Sequence, residues 1–162
     1  MADTLSVTDM LPNKFEPKRK FIWVFALEGI DSFIIKTAAR PTVAIEELEI
    51  PFINSTSYIA GKTKFETLSV TLHDPIAPSG AQQVMEWIRT HYESVSGRAG
   101  YADFYKRDIQ LKMLDPIGTV VELWDIKGAF LTNATFGDLD YGANDPSDIS
   151  LTIRFDNCVL QY

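Results

Sequence analysis

The eight residues Asp148-Ile149-Ser150-Leu151-Thr152-Ile153-Arg154-Phe155 alternate polar and apolar without a break. Successive side chains of an extended chain point to opposite faces, so this period of two predicts a strand with one dry and one wet face. A helix would scatter the same four apolar side chains around its axis. The pattern predicts one strand over 148–160. Leu68, Val70 and Leu72 alternate in the same way with Thr67, Ser69 and Thr71, and Leu48, Ile50 and Phe52 with Glu47 and Glu49. Strand signals also fall at 21–27, 32–39, 108–114 and 119–131. The first of these, Phe-Ile-Trp-Val-Phe-Ala-Leu, is continuously apolar and predicts a strand covered on both faces. One helix is expected over 79–95. Ser79 and Gln82 make a capping pattern, and Val84, Trp87, Ile88, His91 and Val95 share a face. The expected class is mainly β, an antiparallel sandwich or barrel with one packed helix.

A chain of 162 residues suits a single domain over 1–162 that buries a core without disulfides. The lone Cys158 excludes an internal disulfide, and its place in a strand predicts inert packing. No apolar run reaches the roughly 20 residues of a membrane-spanning helix. The first 20 residues lack the apolar core of a secretion signal, so synthesis in the cytoplasm is expected. The net charge is −7. Residues 1–40 carry six basic and five acidic side chains, leaving nine basic and seventeen acidic over 41–162. An acidic body repels phosphates and argues against tight general DNA binding.

Motifs that would carry chemistry fail on their own terms. Gly61-Lys62-Thr63 resembles the end of a phosphate-binding loop, but the required upstream glycine is Thr56, and the lysine opens a strand instead of a helix. His73 and His91 are isolated from other ligands. His91 reads as a packing residue, and His73 reads as a turn-stabilising pair with Asp74. Glu46, Glu47 and Glu49 form an acidic edge. Asp138, Asp140, Asp145 and Asp148 do not follow the order of a calcium loop, and turn chemistry explains them. No nucleophile elbow is present. No catalytic, cofactor-binding or metal-binding residue is assigned, and an enzyme is not expected.

A resemblance rests on several stretches in order. Lys36-Thr37-Ala38-Ala39-Arg40-Pro41, then 48–52, then Ile59 to Asp74, and then 126–160 are similar to the tail tube proteins of contractile-tailed bacteriophages. The same fold serves bacteriocins, extracellular injection systems and the type VI secretion tube. Leu131 stands where family members often have proline. The resemblance implies a structural virion protein without cofactors, polymerised as stacked hexameric rings, its strands joining between subunits into a large barrel. It implies a surrounding tail sheath protein, a baseplate or tube initiator at one end and a tail terminator at the other. It further implies DNA passing through the lumen without specific binding, and location in the virion tail. A bacteriocin or other injection tube without DNA is the alternative within the family. Outside it stands a monomeric β-barrel binding a small ligand between Trp23, Trp87 and Trp124.

An aqueous pore through a β-barrel takes about 16 strands, more than the roughly seven expected here, so a channel would need several chains. Small neutral hydroxyls suit a wall that must not hold DNA, because each wall cation would add a phosphate contact. The candidate lumen-facing residues are Thr67, Ser69, Thr71, Ser150, Thr152 and Arg154, the last acceptable where Asp156 neutralises it. An N-terminal arm (1–20) and an extended inter-ring segment (40–62) are the candidate fasteners. The residues singled out are Lys18, Arg19, Lys20, Glu46, Glu47, Glu49, Asn54, Tyr58 and Tyr162.

Overall fold

A computed structural model describes residues 15–162. Residues 1–14, most of the expected arm, lie outside the described residues. The chain order is β1 (Trp23–Leu27), a 3-10 turn (Ser32–Ile34), β2 (Ile35–Ala38), β3 (Val43–Phe52), β4 (Ser55–Phe65) and β5 (Leu68–His73). Helices α1 (Gly80–His91) and α2 (Ala102–Tyr105) precede β6 (Arg107–Leu114), β7 (Val120–Thr135), β8 (Asp148–Arg154) and β9 (Asn157–Leu160). Seven strands form one antiparallel sheet in the order β1-β6-β7-β8-β5-β2, with β9 alongside β7.

β7 is long enough to serve two half-sheets. Its first part pairs with β6 and β9, and its second part, from Phe130, pairs with β8. The crossing falls at Gly128, which has φ +67°. A side chain there would be strained by that dihedral and would overlap the Asp156 carboxylate. The inner faces of the two halves meet in one core. Phe25, Leu27, Ile109, Leu111 and Ile126 come from one half, and Leu68, Val70, Leu72, Ile149, Leu151 and Ile153 from the other. α1 adds Val84 and Trp87, whose indole N–H donates to the Tyr105 carbonyl at 2.7 Å. The Ser79 side chain caps α1 by accepting from the Gln82 amide at 3.4 Å.

Several boundaries differ from the sequence expectation. The predicted strand 148–160 is two strands, broken at Phe155-Asp156, where the chain passes from β8 on one half of β7 to β9 on the other. β1 is covered on one face only, and Val24 on the other face is exposed. α1 ends at His91. The amides of Tyr92 and Gly100 bond back to Ile88 and His91, turning the chain away and leaving Val95 in solvent. His91 is exposed and stacks edge-on against Tyr105, with ring centroids 4.6 Å apart. His73 pairs with Asp148 (Nδ1 to Oδ1, 3.3 Å) and not with Asp74, which instead accepts from the Ala81 amide at 3.2 Å. The tryptophans do not converge: Trp87 is buried, Trp23 lines a surface groove, and Trp124 bonds Glu122.

Candidate assembly surfaces

The first surface is the outer face of the half-sheet β2-β5-β8-β7. Cross-strand pairs place Thr37, Thr71, Ser150 and Thr135 in one row across all four strands. Ser69, Thr152 and Asn133 make a second row. The Thr132 hydroxyl donates to the Thr152 carbonyl at 3.1 Å and adds to the polar lining. Thr67 lies exposed in the short break between β4 and β5. Of the six residues expected on this face, Ser69, Thr71, Ser150 and Thr152 are brought together by register. Thr37, Asn133 and Thr135 extend the patch. Their strands carry too little alternation for sequence to place them.

Charge on this face is sparse. At one end Lys36 Nζ lies 2.5 Å from Asp148 Oδ2, and that ion pair holds the Asp148 carboxyl below its ordinary range. At the other end Arg154 is exposed and opposite Phe130. Asp156 does not neutralise it, because Asp156 is bound to Lys106 Nζ at 2.6 Å. This half-sheet has two open edges. β2 is paired only with β5, and β7 beyond Ala129 is paired only with β8.

The second surface is the hairpin β3–β4, a two-stranded sheet apart from the main one. It is the segment expected to be extended over 40–62, and almost every side chain along it is exposed. Toward the tip Leu48 pairs across from Ile59, Ile50 from Ser57 and Phe52 from Ser55, so these side chains share a largely apolar face. Glu47, Glu49 and Tyr58 lie on the opposite face. A register shift between Ile45 and Glu47 exchanges the faces, so that nearer the base Val43 and Ile45 are the apolar pair with Phe65. Phe65 packs on Phe155 at 5.5 Å and roots the hairpin in the core. Glu46 pairs with Lys64. The turn is Ile53-Asn54. Ile53 has φ 49° and is 90% exposed. A β-branched residue at positive φ is strained, and this turn position ordinarily takes glycine.

The third feature is a clasp that sequence reading missed. Glu122 is the one buried charged residue of the described core, 5% exposed. It accepts from Lys18 and from the Trp124 indole N–H, and Arg40 lies 3.5 Å away. Burial pushes its carboxyl upward, but the Lys18 and Trp124 hydrogen bonds outweigh that and hold it below the ordinary value. Its parity with Ile126, four residues further on, was the available signal. Lys18 is thus engaged within the chain, and Arg19 pairs with Glu16 at 2.9 Å. Tyr162 continues the β9 pairing, its carbonyl accepting from the Leu123 amide at 3.1 Å while its ring stays exposed.

No family model matches the chain. Among solved structures, a chain of the anti-feeding prophage cap (AFP tube terminating cap) aligns with a TM-score of 0.75 at 16% identity, covering 97% of this chain and 99% of that one. A chain of the sheath-tube complex of the extracellular contractile injection system PVC, in the extended state, aligns with a TM-score of 0.70 at 14% identity, covering 98% and 99%. The fold is therefore that of the tube and cap components of contractile injection systems. In sequence, the chain is 31% identical over 111 residues to the tail tube protein of Serratia phage KSP90. That match spans 67% of this chain and 62% of the relative's length. The chain is a homologue of a phage tail tube protein.

Proposed function

We propose that the chain is a structural tail tube subunit that polymerises as stacked rings around a bore. The observation that carries this reading is the four-stranded face of small polar side chains bounded by two open edges. Joining β2 of one copy to the outer part of β7 in the next would satisfy both edges and continue the polar rows from copy to copy. A β-barrel encloses an aqueous channel at about 16 strands, which four strands per copy reach with about four copies; six copies would supply about 24. The joint is head-to-tail, the kind that closes into a ring when the rotation permits.

In this reading Thr67, Ser69, Thr71, Ser150, Thr152 and Arg154 face the bore. The hairpin, with Glu46, Glu47, Glu49, Asn54 and Tyr58, reaches a neighbouring ring, as do Arg19, Lys20 and the Tyr162 ring. Lys18 contributes indirectly by fixing the entry of the chain. A sheath surrounds the tube, other tail proteins close its ends, and DNA passes through without specific binding. Catalysis has no part in this role. Negative-stain electron microscopy of the purified protein tests it: hollow rings or rods are expected. A compact 18.2 kDa species that stays monomeric even when seeded with a baseplate overturns it.

A further inference from the structure

The seven-stranded sheet does not close on itself. Its end strands are β1 and β2, each with one neighbour, and a groove of about 680 Å³ runs between them. Trp23 and Phe25 stand on one side, and Ile35 and Ala38 on the other. The groove continues past Trp23 and Ala38 into a second hollow of about 350 Å³, where Lys18, Lys20 and Arg40 gather. No carboxylate among the described residues lines either hollow. Lys18 and Arg40 are engaged by Glu122, while Lys20 has no ion-pair partner among the described residues.

The groove side of β2 is also the edge that the proposed ring joint uses. The Ala39 amide bonds to the Ser69 carbonyl at 3.0 Å, so by alternation the Ala38 amide points into the groove. Any segment lying along β2 there excludes β7 of the next copy. A bare edge of this kind invites indiscriminate pairing, and covering it is one way a sheet avoids that.

The chain enters beside this groove, since Lys18 and Lys20 line the second hollow. The residues before Phe15 read Met-Ala-Asp-Thr-Leu-Ser-Val-Thr-Asp-Met-Leu-Pro-Asn-Lys. From Asp3 to Asp9 they alternate. Asp3, Leu5, Val7 and Asp9 share one face of an extended chain, and Thr4, Ser6 and Thr8 share the other. The only charged side chains before Lys14 are Asp3 and Asp9, opposite in sign to the hollow. Pro12-Asn13 is turn chemistry, and residues 10–14 give up to about 18 Å in which to double back. We infer that residues 3–9 fill the groove of their own molecule in the free subunit and cover the β2 edge. Leu5 and Val7 enter between Trp23, Phe25 and Ala38. Asp9, on the same face and about 7 Å further along, meets Lys20 in the second hollow. This segment and β7 of a neighbouring copy compete for one edge, so the contact is autoinhibitory and assembly displaces it. If the edge is free in about one subunit in ten, the concentration needed for rods rises about tenfold. The inference rests on the ring joint proposed above and names what holds that joint shut before assembly.

Nuclear magnetic resonance on the full chain as a dilute monomer tests the contact without relying on assembly. With a nitroxide on Ser6→Cys in a Cys158→Ala background, the amide signals of 23–25 and 35–38 are expected to broaden most. Nitroxide-labelled chain mixed with unlabelled, isotopically enriched chain is expected to broaden none of the enriched signals, because the contact is within one molecule. Hydrogen exchange at the Ala38 amide is expected to quicken about tenfold in Leu5→Asp with Val7→Asp, and to quicken in Asp9→Lys. Adding Lys20→Glu to Asp9→Lys is expected to bring it back to within about threefold of the unaltered chain. Leu5→Asp with Val7→Asp is also expected to lower the concentration needed for rods about tenfold, opposite in sign to the loss of an assembly contact. Missing broadening at β1 and β2, or Ala38 exchange indifferent to these changes, overturns the inference whether or not rods form. So does broadening in the mixture, which gives the groove to another copy, or a rise in the concentration needed for rods. Failure of the unaltered chain to form rods, with the monomer signals as expected, overturns the ring joint and upholds the groove contact.

Discussion

Among the charged residues described, Glu122 is the only one shut away from solvent. It is buried, and its cations reach it from the chain entry and from the loop after β2, so three remote segments converge on one carboxylate. Glu122→Gln keeps the shape but loses charge-assisted hydrogen bonds, and a loss of about 2 kcal/mol is expected in urea unfolding at neutral pH. The pH dependence has a definite sign. A carboxyl whose folded pKa lies below its unfolded value stabilises fully above the unfolded value, about 4.3 for Glu, and loses that contribution as pH falls through the folded one. The unaltered chain is therefore expected to lose stability below about pH 4.3, and Glu122→Gln to lose less over the same range. Urea midpoints from pH 6 to 3 measure both. Cys158 offers a second check at this scale. Burial pushes its thiol to about 11. Alkylation by iodoacetamide at pH 8 is then expected to be roughly 200-fold slower than for an ordinary thiol, because the thiolate is the reactive form.

At the scale of elements the hairpin is the informative piece. A strained, exposed isoleucine at its tip has no role in holding the monomer together, and glycine would fit the dihedral better. Ile53→Gly is expected to leave the monomer's melting temperature unchanged or slightly raised while raising the concentration needed for assembly. A calorimetric scan paired with sedimentation of rods separates the two effects, and a fall in melting temperature with normal assembly would contradict the argument. The alternation of Leu48, Ile50 and Phe52 was legible as a strand, because period two is a local property. Sequence did not disclose that the apolar side lacks a core to face, since the partner of a dry face lies elsewhere in the fold. The same limit explains the other differences. Leu68, Val70, Leu72, Ile149, Leu151 and Ile153 fell where alternation put them. The break at Asp156 did not show, because its cause is the crossing of β7 at Gly128, remote in sequence, whose neighbour Lys127 accepts the Asp156 amide at 3.0 Å. The unbroken apolar run at β1 suggested two covered faces, yet one face is open in the isolated chain. The hydroxyl face was half legible. Ser69, Thr71, Ser150 and Thr152 announced themselves by alternation, while Thr37 and Thr135 joined them only through strand pairing.

At the scale of the whole molecule the proposal turns on what a bore wall must avoid. Duplex DNA carries one negative charge per about 1.7 Å, and every wall cation that meets it releases counterions and gains affinity, so transit slows. The β2-β5-β8-β7 face answers this with hydroxyls and amides, and with its Lys36 bound to Asp148. Arg154 is the exception: it lies on that face while Asp156 serves Lys106. If the face lines a bore that carries DNA, two substitutions must act with opposite sign. Ser150→Lys, an exposed change that adds a cation to each copy, should leave tubes intact and slow DNA release from assembled particles, most at low salt. Arg154→Gln should speed release and flatten its dependence on salt, each lost contact lowering the logarithmic salt slope by about 0.9. Release followed by dye fluorescence over a range of sodium chloride concentrations reads both. A rate indifferent to both changes at low salt would place this face away from DNA. The open edges of β2 and β7 would then still call for partners, in a tube whose bore is lined by some other surface or carries no nucleic acid.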